Sequence, residues 1–511
     1  MPRVLVHADT YLDSVLLLAA TRAMTSTDGV SWATAVMATP ANLDVLRARA
    51  IDEPGLAGAS ANDLVLAVVA EDDDDADAAF RAGDDALFAA RPSSAAGGVR
   101  APSGSLSEAR ERLPDGNVAI VSVPGPFAAL EAHKAIGAGL HVLLFSDNVT
   151  IDEEIELKER AVRLGRLVMG PGAGTAVLGG CGLGFANVVS RGRVGVVAAA
   201  GTGAQEVMAL VDQWGGGLSQ VIGVGGRDLS AAVGGRMAGA AVQALDADPG
   251  TDVIVLVSKP PNAEVARSVI TGATTTPVIA ALIGLQGLDG LPEGTIVTST
   301  LEGGALAAMT RLGIDVPVDH SSLRQAVDAA GSRLGTDRTL VHGLYSGGTL
   351  CYEALGLLGK VLGPVYSNIP LDEAHRVPAP EGAHVCLDLG EEEYTKGRPH
   401  PMIDPEARLE MLEAAAQRPD VAAILIDVVL GYGAHDDPAS IFAPVCERIT
   451  FAGGPAVVAY VLGTRADPQG LAGQRSQLRE AGCVVAPTGA RAALAAAALA
   501  TRRPDLVEAT P

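Results

Sequence analysis

Short apolar runs, almost free of polar interruption, recur along this chain and are separated by Ala-rich stretches whose apolar residues return with helical spacing. One series runs 193–200, 219–223, 252–257, 276–280 and 294–298. A second series, 339–347, 384–388, 420–426, 454–459 and 481–485, repeats it in the same order. Apolar runs of about four to seven residues are too short for helices and lack the alternation of a half-exposed strand, as expected of parallel strands covered on both faces. Helical stretches such as 235–246 and 405–417 lie between them. This alternation predicts an α/β fold with two flavodoxin-like, doubly wound domains in tandem, over 191–320 and 333–505.

Upstream the pattern changes twice. Over 1–100, strands at 4–6, 32–37 and 64–70, with helices at 10–25 and from the third strand to 87, predict a small α+β domain. The stretch 92–98 reads as its exit linker. Over 115–190, strands at 117–123, 141–146 and 167–169 alternate with helices at 128–136 and 152–164, which predicts a Rossmann-like unit. Within the second repeat, 362–405 is too polar and too rich in Pro to be sheet throughout and reads as an insertion.

The repeat carries chemistry at one place. In each copy the first strand runs into small residues, then Gly-Thr, then a Glu four beyond the Thr: Gly201-Thr202-Gly203 with Glu206, and Gly347-Gly348-Thr349 with Glu353. The two Thr are 147 residues apart (349 − 202). Such a turn lets backbone amides approach a ligand, and the Thr is placed to cap the helix that follows. A helix N-terminus offers unpaired N–H groups and partial positive charge, so two such turns facing one pocket would hold a phosphate or carboxylate from both sides. Glu206 and Glu353, one turn in, favour the helix dipole and could bond a turn or a substrate amine.

Composition narrows the partners. Hydrophobic residues at 48% with only 3% aromatics mean cores of Ala, Val and Leu. A net charge of −23 argues against nucleic acid and anionic membrane, both of which demand basic patches. The acidic run 71–77 reads as a solvated loop rather than a metal site. Five scattered cysteines without a C-x-x-C pair indicate neither a disulfide framework nor a zinc ribbon, and suit a reducing, cytoplasmic compartment. No stretch has the length of a membrane span and no signal-peptide pattern opens the chain; 491–502 reads as an Ala-rich closing helix.

Further candidates lie at strand ends. Lys259, before Pro260-Pro261, is a cation at a carboxyl edge that could touch an anionic ligand. Arg227 either pairs with Asp228 or serves as a guanidinium for a carboxylate. His400 and Asp404 sit in a loop stiffened by prolines, where the His suits acid/base work and the Asp suits a helix cap. His435-Asp436-Asp437 reads as a solvated turn, and no metal site is expected.

Val123-Pro124-Gly125-Pro126-Phe127-Ala128, Met169-Gly170-Pro171, and Gly192 to Val197 with its Gly-Thr turn resemble, in order, the α subunit of succinyl-CoA synthetase. The second repeat resembles the phosphate-facing domain of that enzyme's β subunit. Gly223 to Ser230, Ser258-Lys259-Pro260-Pro261, Tyr345 to Cys351, Tyr366-Ser367-Asn368-Ile369 and Lys396 to Pro405 resemble the FdrA family over almost the whole chain. That resemblance implies a multi-subunit carbamoyltransferase, an oligomer with further subunits, that interconverts carbamoyl phosphate plus oxamate with oxalurate plus phosphate in allantoin breakdown. Asn368 is a substrate-binding candidate within the matched strings. Where the synthetases relay a phosphoryl group on a His, 258–313 contains none. Where they grip coenzyme A with an Asn and a Cys, Gly170 to Thr175 offers neither, so coenzyme A is not expected as a cofactor. An acyl-CoA ligase and a non-catalytic scaffold subunit are the alternative readings.

Overall fold

A computed structural model of the chain describes residues 1–10, 12, 14–51, 54–56, 58–88, 103–285, 287–395 and 399–510; the expected linker 92–98 lies outside them, as do 396–398 of the Lys396 string. The chain divides into two compact units, Met1–Pro102 with Glu391–His400, and Ser103–Gly390 with Pro401–Pro511. No helix among the described residues is long and apolar enough to cross a membrane.

In the first unit, strands Pro2–His7, Leu64–Ala70 and Val30–Met37 form an antiparallel sheet in that order. Helices Ser14–Thr25 and Asp73–Phe88 share a core on one of its faces. The acidic run is therefore not a loop. Asp73, Asp74 and Asp75 make the first turn of a helix, where the positive end of the dipole favours them.

The second unit begins with three parallel strands, Val118–Val121, His141–Leu144 and Val168–Met169, joined by helices Gly125–Gly137 and Ile151–Arg163. Thr150 and Glu153 form a reciprocal capping box that fixes where the second of these helices starts. The first repeat follows as a sheet in the order Ile296–Thr298, Val278–Leu282, Val253–Ser258, Arg191–Ala199, Leu218–Gly223, all parallel. A hairpin, Thr175–Leu178 with Cys181–Gly184, extends this sheet antiparallel, although its residues fall within the span expected for the preceding domain. The second repeat is wholly parallel, in the order Val365–Tyr366, His384–Asp388, Leu340–Tyr345, Val421–Val429, Ala456–Leu462, Val484–Ala486.

Each repeat has a lead helix after its central strand, Gly201–Gln213 and Gly348–Leu362, and a closing helix after its last, Leu301–Arg311 and Gly489–Thr501. A single hydrophobic core takes in all four helices, so the repeats are fused through them. Every residue from Gly489 to Ala500 is buried, which is why that helix is nearly all Ala: small side chains let neighbours approach on every side. Both lead helices start at the carboxyl ends of central strands, where doubly wound sheets bind ligands.

Candidate functional site

The two Gly-Thr turns meet. A Cβ at Gly203 would stand 2.8 Å from Thr349 Cγ2, and one at Gly347 would stand 2.6 Å from Thr202 Cγ2. The lead helices thus touch N-terminus to N-terminus across the repeat interface, and only glycine permits it. Thr202 and Thr349, expected as caps, are not caps: the N-cap positions are Ala200 and Gly347, with no side-chain bond at either. Both Thr are buried inside the first turn, where their methyls form this contact.

The turns are not equivalent. The first three amides of both lead helices, Gly201 to Gly203 and Gly348 to Leu350, find no acceptor among the described residues, but Gly201 is exposed and only Thr175 Oγ1 comes within 4 Å of a Cβ there. In the second turn, the Ser346 amide donates to Asp427 Oδ1 at 2.7 Å and the Gly347 amide to Asp427 Oδ2 at 3.0 Å, while the Asp388 carboxylate stands against Gly348. Register gives the reason. Ala198 pairs with Gly223 and Val257; 147 residues on (345 − 198), Tyr345 pairs with Asp388, and Leu344 pairs with Ile426 one step before Asp427. Two acids replace Gly and Val. The expectation that Gly347 and Gly348 share an anion with Gly201 to Gly203 is corrected accordingly: the chain's own carboxylates hold the second turn.

Asp427 is itself held by Arg408, whose guanidinium donates to its Oδ1 and its carbonyl oxygen, both at 2.8 Å, and to the Leu344 carbonyl. All of this is buried. Asn368, expected to touch substrate, spends both ends of its amide on Asp388, donating to its carbonyl at 2.9 Å and accepting from its N–H at 3.0 Å. It positions Asp388 instead.

Glu206 and Glu353 reach across the interface rather than serving their own turns. Glu206 accepts from the Tyr460 hydroxyl and from the Gly489 amide at 3.2 Å, at the start of the second repeat's closing helix. Glu353 accepts from the Leu301 amide at 2.6 Å, at the start of the first repeat's closing helix. Each repeat caps the other's helix. Burial, opposed by the Tyr460 and Gly489 hydrogen bonds, pushes the Glu206 carboxyl up to about 7. Burial and the Glu206 charge push Glu353 well above the carboxylate range.

Lys259 sits beside the open turn. A Cβ at Gly226 would lie 3.5 Å from its Nζ and 4.0 Å from the Ala199 carbonyl, and the ammonium stands 5.9 Å above the Tyr352 ring centroid. No carboxylate pairs with it among the described residues. Arg227 does not pair with Asp228. It binds Glu154 at 2.9 Å and the Val149 carbonyl at 2.8 Å, while Asp228 takes the fully buried Lys158 at 2.7 Å and caps helix Arg236–Asp246 through the Ala238 amide at 2.8 Å. His400 belongs to the first compact unit and the turns to the second. Asp404 caps the short helix Pro405–Arg408 through the Glu406 amide at 3.2 Å. His435 accepts from the Asp437 amide at 3.0 Å, and no group able to hold a metal exists among the described residues.

Sequence reasoning passed over Asp427, Asp388, Arg408 and Tyr460. The signal was present: Asp427 is the lone acid in the apolar strand Val421–Val429, and a charge there demands a buried partner.

Repeats fused through their lead and closing helices, with strand-end turns meeting at the interface, define a doubly wound α/β protein, and within it residues 344–499 match the family described as CoA-ligase. Residues 1–102 match the AllF heavy metal-associated domain. That stretch has no cysteine, and no ligand cluster occurs among its described residues, so its donors do not fit a soft metal. The chain is 36% identical over 513 residues to the "Uncharacterized protein YahF" of Escherichia coli (strain K12), spanning 97% of this chain and 98% of that protein, and it belongs to the YahF family. It is also similar to the ADP-forming succinate–CoA ligase α subunit of Methanothermobacter thermautotrophicus, at 28% identity over 45% of this chain and 73% of that subunit. A third relative is the ADP-forming sulfoacetate-CoA ligase subunit SauD of Bilophila wadsworthia, at 28% identity over 35% of this chain and 63% of that one.

Proposed function

We propose that this chain is the phosphate-binding subunit of a carbamoyltransferase of the FdrA type, which interconverts carbamoyl phosphate plus oxamate with oxalurate plus phosphate. The observation that carries it is the exposed helix N-terminus Gly201 to Gly203, which unlike Gly348 has no carboxylate against it, with Lys259 beside it, in a chain whose 258–313 segment has no His to relay a phosphoryl group. In this reading three amides, the helix dipole and Lys259 bind the phosphate end. The oxamate nitrogen attacks the carbamoyl carbon, the C–O bond to phosphate breaks, and the proton lost from nitrogen leaves with phosphate. Catalysis is positioning plus stabilisation of the leaving charge. Asp388, held over the second turn by Asn368, supports the same reading, because a carboxylate there repels a second anion and accepts from an N–H such as the carbamoyl amide.

The CoA-ligase match over 344–499 and the CoA ligase relatives favour a second reading, an acyl-CoA ligase subunit. Purified chain, alone and with the products of neighbouring genes, separates the two. Phosphate-dependent breakdown of oxalurate supports the first, and coenzyme A thioester formation in its place supports the second.

A further inference from the structure

The acids at the repeat interface are built around a proton. Glu206 and Glu353 come from the two lead helices and converge on one glycine: a Cβ at Gly489 would stand 3.2 Å from Glu353 Oε2 and 3.7 Å from Glu206 Oε1. Both carboxyls are buried, and Glu353 Oε2 has no hydrogen-bond partner. The groups facing Glu206 are Tyr460 from strand Ala456–Leu462, the Gly489 amide, Glu353, Glu302 and Arg475. Those facing Glu353 are the Leu301 amide, Glu206, Glu302, Tyr460 and Tyr345, whose buried hydroxyl is also without a partner. Arg491 is spent on Glu302 at 2.7 Å and on the Val507 and Ala509 carbonyls. Arg475 gives one hydrogen bond to the Val461 carbonyl. Two buried carboxylates this close cannot both be ionised without large cost.

We propose that Glu206 and Glu353 form a protonated clamp that locks the two repeats together and loosens when it loses its proton. Each acid holds the first amide of the opposite repeat's closing helix, so the clamp spans the whole interface. When both ionise, repulsion falls on the lead helices whose N-termini meet at the Gly-Thr turns, which makes the turn geometry sensitive to the proton. The clamp stands on this geometry and does not depend on which reaction the site performs.

The folded-state value for Glu206, about 7, lies above the 4.5 of the free side chain. Its contribution to stability is therefore complete below 4.5 and is lost as pH rises through about 7. Glu206→Gln keeps an acceptor for the Gly489 amide and removes the titration. In thermal melts of the full chain from about pH 5 to pH 7, the parent should lose stability relative to Glu206→Gln, a crossover of several degrees in midpoint. Parallel curves would overturn the proposal. Infrared spectroscopy of the unsubstituted chain gives the independent check: a buried protonated-carboxyl band that weakens as pH rises through about 7, and does not weaken there in Glu206→Gln, supports the clamp, and its absence at pH 5 or a band unchanged through pH 7 refutes it.

Discussion

Gly203→Ala tests whether the lead helices are locked by close approach. Alone, the exchange should help, since Ala is favoured over Gly inside a helix by up to about 1 kcal/mol. Here the new methyl would lie 2.8 Å from Thr349 Cγ2, 2.9 Å from Val257 Cγ1 and 3.2 Å from Ala200 Cβ. Overpacking of this kind costs about 1–3 kcal/mol. With contacts this short the strain outweighs the propensity gain, and the variant should lose up to about 2 kcal/mol once that gain is subtracted. Urea unfolding of the full chain measures it. Thr349→Ser removes the methyl in the way, so Gly203→Ala/Thr349→Ser should recover part of the loss, with a coupling energy of at least about 0.5 kcal/mol. If Gly203→Ala matches or exceeds the parent in stability, or Thr349→Ser rescues nothing, the helix contact is not the constraint described.

Two further outcomes follow from the site's charges. Asp427→Asn leaves Arg408 buried with a neutral partner, and urea unfolding should show a loss of about 3 kcal/mol or more; a loss below about 1 kcal/mol would mean that the pair does not hold the second turn. Lys259→Ala removes a cation beside the open turn, so calorimetry should show phosphate affinity reduced roughly tenfold or more with the melting midpoint unchanged, whereas unaltered affinity would place the anion elsewhere.

The parallel strands were legible because burial on both faces writes itself as uninterrupted apolar runs, as in 252–257 and 420–426. The Gly-Thr repeat picked out two strand ends that the fold brings into contact. It did not reveal what the residues do there, because Thr202, Gly203, Thr349, Glu206 and Glu353 answer to partners about fifty to nearly three hundred residues away. Glu206 and Gly489 are 283 apart in sequence, and no local pattern encodes a cap made across a domain interface. The hairpin 175–184 escaped for another reason: its strands are four residues each and the second, Cys181–Gly184, is half glycine, too little apolar signal to show which sheet they extend. The difference between the turns lay in single positions, Asp388 for Gly223 and Asp427 for Val257, visible only once strand register aligned the repeats.

Calorimetric titration of phosphate and carbamoyl phosphate into the chain and into Gly201→Val tests the central claim most directly. A Cβ at Gly201 meets nothing nearer than Thr175 Oγ1 at 3.9 Å, so Val fits without disturbing the fold while its branches cover the free amides. The account predicts a single anion per chain, bound at least about tenfold more weakly by Gly201→Val at an unchanged melting midpoint. Equal affinity in the two proteins, or two anions bound per chain, would contradict it.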